Sequence, residues 1–139
     1  MYQVMNAFTI RGRADRLEAF MLHAVVAAPV LAIGREIAAV NTGLLALVGF
    51  ALIVLAAWIG GCAGVRRLHD LNCSGWYYPM WVAAMVFINN SGLVELILLA
   101  HVASAVPFYG IMGTRGDNRY GPPPGLRPVR PVMAEFVQR

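Results

Sequence analysis

From Leu44 to Val65 the chain carries no charged residue. Wound as an α-helix, a run of that length just exceeds the ~30 Å hydrocarbon core of a bilayer and crosses it with some tilt. Composition points the same way. Residues AVILMFWYC make up 59% and charged residues 13%, against ~25% charged in ordinary globular domains. At 139 residues a soluble core is too small to hide that much apolar surface, so the missing solvent is lipid.

Three further apolar runs flank this one. Leu17 to Ile33 is interrupted by His23 and Pro29, and sits near the lower end of the length needed to cross. Asp15 and Glu18 before it fit a capping box, which predicts a helix start near Asp15. Arg35, Glu36, Asn41 and Gly43 read as the loop that follows. Trp76 to Ile88 is short, Asn89 to Gly92 is a turn by composition, and Leu93 to Met112 contains Glu95, His101 and Pro107. Trp76, Tyr77, Tyr78 and Trp81 fit the headgroup level.

The expected fold is therefore all-α: an integral membrane bundle of four transmembrane helices, the third and fourth a tight hairpin. The expected organisation is a basic segment over residues 1–16, a four-span domain over 17–113 and a Pro/Arg-rich tail over 114–139. Tyr2, Val4, Met5, Phe8 and Ile10 suggest an amphipathic lead-in. The first span reads as retained rather than cleaved, because no small-residue cleavage site follows it. The tail from Gly121-Pro122-Pro123-Pro124-Gly125 reads as an extended, mostly disordered arm.

All 11 cations are arginine. Arg11, Arg13 and Arg16 precede the first run, Arg66 and Arg67 follow the second, and Arg115, Arg119, Arg127, Arg130 and Arg139 follow the fourth. The first loop holds only Arg35 and the third loop no cation. By the positive-inside rule this places both ends and the second loop in the cytoplasm. A re-entrant third–fourth hairpin preserves the assignment. Arginines between apolar runs point to membrane rather than nucleic acid.

The residues with chemical potential cluster at that face. Arg13, Arg16, Arg66, Arg67, His69, Asp70 and Arg119 fit a composite site for anionic headgroups, since guanidinium forks hold phosphate bidentately. The competing reading is that these arginines only anchor helix ends, with Asp70 paired to Arg66, Arg67 or Arg119. His69 beside Asp70 invites a catalytic reading, but sequence neighbours rarely face each other and no nucleophile, HExxH or phosphate loop accompanies them. Ala56, Gly60 and Gly64 form a small-xxx-small ladder for close helix packing. His23, Glu95 and His101 are intramembrane polar residues, where ionisable groups are expensive. Cys62 and Cys73 lack metal-site or disulfide spacing. No metal or cofactor is expected. The expected partners are membrane lipids and a homo-oligomer or membrane-protein partner.

The stretches Phe8–Phe20, Arg66–Tyr78 and Gly113–Pro124, with RRLHD, SGW and NRYGP at their centres, resemble the domain of unknown function 805 family of bacterial inner-membrane proteins. Cys73 stands where that family's pattern suggests a polar or basic residue. The resemblance implies a multi-span helical membrane protein and supplies no activity or catalytic residue. The leading function class is a non-enzymatic membrane protein acting through an Arg-rich cytoplasmic interface. Its rivals are a small oligomeric transporter or channel, and a membrane enzyme on a lipid-linked substrate.

Overall fold

The computed structural model describes residues 8–90 and 92–124. They form four helices: α1, Arg16–Val40; α2, Leu44–Asp70; α3, Tyr77–Asn89; and α4, Val94–Gly110. No strand occurs among the described residues, only an isolated bridge between Asn118 and Gly121. The lead-in before Phe8, Ser91 of the third loop, and the tail beyond Pro124, including Arg127, Arg130 and Arg139, lie outside the described residues.

α1 and α2 are each long and apolar enough to cross a membrane. α1 runs past the expected loop residues Arg35 and Glu36 and stops at Val40, where the Asn41 side-chain amide donates to the Ile37 carbonyl. Helical wheels cannot place this end, because an exposed Arg-Glu pair continues a helix as readily as it breaks one. α3 has 13 residues, about 20 Å of helix, and α4 about 25 Å.

Both proline-bearing helices contain a π segment, Met21–Ala27 before Pro29 and Val106–Gly110 around Pro107. Proline lacks the N–H that an α-turn needs, and its ring crowds the carbonyl four residues back. A wider turn relieves that conflict, as the Ala28 N–H shows by bonding to His23, five residues earlier.

α1 and α2 pack antiparallel across two glycines. A Cβ at Gly49 would lie 2.5 Å from the Ala38 nitrogen and 2.8 Å from the Gly34 carbonyl, and one at Gly34 would lie 2.9 Å from the Gly49 carbonyl. Further along α2, Ala56, Gly60 and Gly64 are buried. A Cβ at Gly60 would meet Ala27 and His23 at 3.6 Å, and one at Gly64 would overlap the Tyr78 ring. The ladder therefore faces α1 at its middle and α3 at its end.

Among the described residues the helices show an apolar exterior, and a charged cluster is buried at one end. Leu44, Phe87 and Trp76 are 77%, 79% and 80% exposed, whereas the largest fully buried side chains include Arg66, Arg67 and Asp70. Soluble monomers rarely leave so much contiguous apolar surface in water. In lipid that surface costs nothing, and close backbone contact becomes the source of cohesion.

Gly49→Ala is expected to destabilise the protein by about 1–3 kcal/mol, the usual cost of overpacking. Gly61→Ala, whose methyl would meet only the Tyr78 ring at 3.9 Å, should stay within ~0.5 kcal/mol. SDS denaturation of the detergent-solubilised protein distinguishes the two.

Candidate functional site: an arginine-clamped helix end

α2 ends on Asp70, and the chain then turns through Asn72 at φ 59°. The Cys73 N–H donates to Leu68 and the Asn72 N–H to His69. These are the two bonds of a Schellman motif, with asparagine tolerating the left-handed position. The negative end of a 27-residue helix is an unfavourable place for a carboxylate. Asp70 is nevertheless 2% exposed, so its charge is compensated by protein.

Two guanidiniums provide that compensation. Arg13 donates from Nε and Nη2 to Asp70 Oδ1 at 3.0 and 2.9 Å, and Arg67 donates from Nη1 to Oδ2 at 2.5 Å. Charge-assisted bonds of this kind are the strong ones in an interior. A Cβ at Gly113 would overlap the same carboxylate, so the glycine lets the segment after α4 close over it. The Thr114 N–H and hydroxyl both donate to the Asp70 carbonyl.

The remaining donors of these arginines reach backbone. Arg13 Nη1 donates to Gly116 at 2.7 Å and Gly121 at 3.2 Å, and Nη2 to Thr114 at 2.5 Å. Arg67 Nε donates to the Phe108 carbonyl at 2.8 Å and Nη2 to that of Ile111. Those carbonyls close α4, so Arg67 caps the C-terminus of one helix from the side of another. Arg66 Nη2 bonds Arg13 O at 3.2 Å and Glu18 Oε1 at 2.5 Å, while the Ala14 N–H donates to Arg66 O at 3.0 Å. Of the capping box, the Asp15 half forms, with Oδ1 accepting from the Glu18 N–H at 2.7 Å. The Glu18 carboxylate turns to Arg66.

The three basic segments thus meet at one end of the bundle, but their arginines divide. Arg13, Arg66 and Arg67 are at most 3% exposed and bond protein acceptors. Arg11, Arg16, Arg115 and Arg119 are exposed. Arg119 donates to the Asn72 carbonyl at 2.9 Å, and its guanidinium lies 4.8 Å from the Tyr120 ring centroid. Asp70 pairs with Arg13 and Arg67, not with Arg119. The boundary expected between residues 113 and 114 falls inside this clamp, since residues 114–121 bond to Arg13, His69 and Asp70.

His69 does not face Asp70. Its Nδ1 donates to the Gly12 carbonyl at 3.1 Å, and its ring stacks on Tyr120 at 3.8 Å and 8°. It lines an open groove of about 370 Å³ with Ile10, Val65, Ser74, Gly75, Trp76, Pro79 and Tyr120. Tyr120 and Glu18 are site residues that sequence reasoning missed. Within Asn118–Pro122 it is Asn118 and Tyr120, rather than Arg119, that contact His69.

The intramembrane candidates sit elsewhere. Tyr78 and Trp81 turn inward, with ring centroids 6.1 and 5.3 Å from Phe108. His23 joins the same cluster, its Nδ1 donating to the Ala19 carbonyl at 2.9 Å. His101, likewise donating four residues back to Ile97 at 2.7 Å, shares a cavity of about 160 Å³ with His23, Trp81 and Ser104. Glu95 is exposed in the first turn of α4, where a carboxylate complements the helix dipole. Cys62 is buried and Cys73 partly so, both as free thiols. No cluster of three or more metal-ligating residues occurs among the described residues.

Breaking the Asp70 clamp leaves two buried guanidiniums uncompensated. Asp70→Asn is expected to cost about 3–5 kcal/mol. Glu18→Gln should cost roughly 1–2 kcal/mol, because the Glu18 side chain is 33% exposed and water reaches it. Equal losses in SDS denaturation would show that burial does not set the scale.

The family model for proteins of unknown function DUF805 matches residues 7–122. No curated protein and no solved structure matches the chain. The chain belongs to the DUF805 family.

Proposed function

We propose that this DUF805 protein crosses the bacterial inner membrane four times, keeps both ends in the cytoplasm, and acts without catalysis by holding anionic lipid headgroups at the clamped end of its bundle. One observation carries the reading. Arg11, Arg16, Arg115 and Arg119 are exposed on the same segments whose other arginines are buried. The buried set fixes the segments, and the exposed set is presented to whatever lies at that membrane face. There, guanidinium is suited to phosphate, which it binds bidentately.

The topology rests on arginine placement. All three connecting and flanking regions at the clamped end carry cations, and the opposite end carries Arg35 among the described residues. Lys/Arg asymmetry of that kind orients membrane helices. The short α3 crosses by thinning the bilayer locally or by borrowing loop residues, each at modest cost. What supports a non-catalytic role is the site chemistry: His69 is turned away from Asp70, and Asp70 is held by two guanidiniums.

Reporter fusions at the two termini should both read out as cytoplasmic, and a thiol probe placed at Thr42 should be labelled from outside; labelling of both ends from outside would reverse the topology. Native mass spectrometry of the purified protein should show retained anionic phospholipid. Each exposed arginine near the surface is worth about 1 kcal/mol, roughly fivefold in affinity. The double variant Arg16→Gln/Arg119→Gln should therefore lose most of that lipid at 150 mM salt or above. Retention of no anionic lipid by the unaltered protein defeats the headgroup reading.

A further inference from the structure

The groove beside His69 has a polar floor and apolar walls. His69, Ser74 and Tyr120 supply the polar part, and Ile10, Val65, Trp76 and Pro79 the apolar part. Its ~370 Å³ falls within the range of small-molecule sites. Trp76, 80% exposed, sits before the first turn of α3, where an indole meets the headgroup layer.

The imidazole here is set in one orientation and one tautomer. The Gly12 carbonyl only accepts, so Nδ1 carries the hydrogen and Nε2 of the neutral ring presents a lone pair. Stacking on Tyr120 holds the ring plane. A Cβ at Gly75 would lie 3.0 Å from Nε2 and 2.7 Å from Val65 Cγ1. Nε2 therefore lies close to Gly75, and both residues line the groove. None of the lining residues is acidic, and the exposed Arg119 guanidinium lies over the Tyr120 ring, whose opposite face is taken by His69.

An acceptor residue lining an apolar-walled groove, with a cation across Tyr120, selects for an amphiphile that carries a hydrogen-bond donor near an anionic group. We propose that this groove binds an anionic glycerophospholipid through a free hydroxyl of its headgroup. The hydroxyl donates to His69 Nε2, Ser74 lies alongside, the phosphate faces Arg119, and the glycerol backbone and upper acyl chain lie against Ile10, Val65, Trp76 and Pro79. The inference rests on the headgroup reading above and narrows it from anionic lipid in general to headgroups with a hydroxyl donor.

The test compares two diester lipids of equal charge. The full-length protein is placed in nanodiscs of phosphatidylcholine doped with either phosphatidylglycerol or phosphatidylethanol, and retained lipid is read by native mass spectrometry. Phosphatidylglycerol should be retained roughly three- to tenfold more, the worth of one hydrogen bond. His69→Phe keeps a ring for Tyr120 but removes the acceptor, and should bring the two lipids level while leaving retention of both above that of phosphatidylcholine. If His69→Phe does not fold, Ser74→Ala is the deciding variant and should narrow the preference. Equal retention of the two lipids by the unaltered protein overturns the inference while leaving the headgroup reading standing. So does a preference that survives the variant. Retention of neither anionic lipid sinks both readings. A dimer in the same spectra whose lipid content ignores the variants assigns the groove to a second copy of the chain and also overturns the inference.

Discussion

A single carboxylate at the end of α2 organises the charged half of this protein. Asp70 stands where the helix dipole disfavours it, and it is held there by Arg13 from the segment before α1 and Arg67 from its own helix. Once fixed, the two guanidiniums reach past the carboxylate to carbonyls at the end of α4 and in residues 114–121. One ionic contact thus ties together three parts of the chain that are remote in sequence. Buried ion pairs are often poor sources of net stability, because desolvation offsets attraction. Their stronger contribution is to specify one arrangement, since a partner misplaced by a few ångströms leaves a bare charge in a low dielectric.

That role is understandable in a chain whose outer surface is apolar. In lipid, apolar side chains gain nothing by meeting each other, so a bundle cannot be specified by a hydrophobic core. Two other devices take over. At one end of the α1–α2 pair, Gly34 and Gly49 bring backbones into contact. At the other, polar groups saturate each other around Asp70. Between them, the π segments before Pro29 and around Pro107 carry His23, Phe108 and Tyr109 into one aromatic cluster. Pro29 follows the first of these segments and removes an α-helical bond there, which favours the wider turn that carries His23.

The division among arginines has a functional side. A guanidinium with its donors committed to carboxylate and carbonyls has no capacity left for a ligand, whatever its charge. Arg13 is of this kind, and Arg67, with three such bonds, is fully buried. In the proposed function, binding at this end falls to the exposed arginines and to the groove that His69 lines. His69 is a neighbour of Asp70 in sequence only. It belongs to a second, more open layer built with Gly12, Tyr120 and the Ser74–Trp76 turn.

Sequence by itself determined that the chain is helical and membrane-compatible, because run length and absence of charge are one-dimensional properties; it read four spans, and two helices are long and apolar enough to cross. It also located the glycine ladder of α2 and the three basic segments, since composition and spacing reveal both. The end of α1 was not legible, because Arg35 and Glu36 are compatible with helix and loop alike. Nor was the crossing of Gly34 with Gly49, which depends on how two helices lie against each other. Tertiary structure alone decided which arginines are buried, that Asp70 pairs with Arg13 rather than Arg119, that Glu18 serves Arg66, and that His69 stacks on Tyr120. Those outcomes join positions 48 to 57 residues apart, and the 3.6-residue period that places side chains on a helix carries no information over that distance.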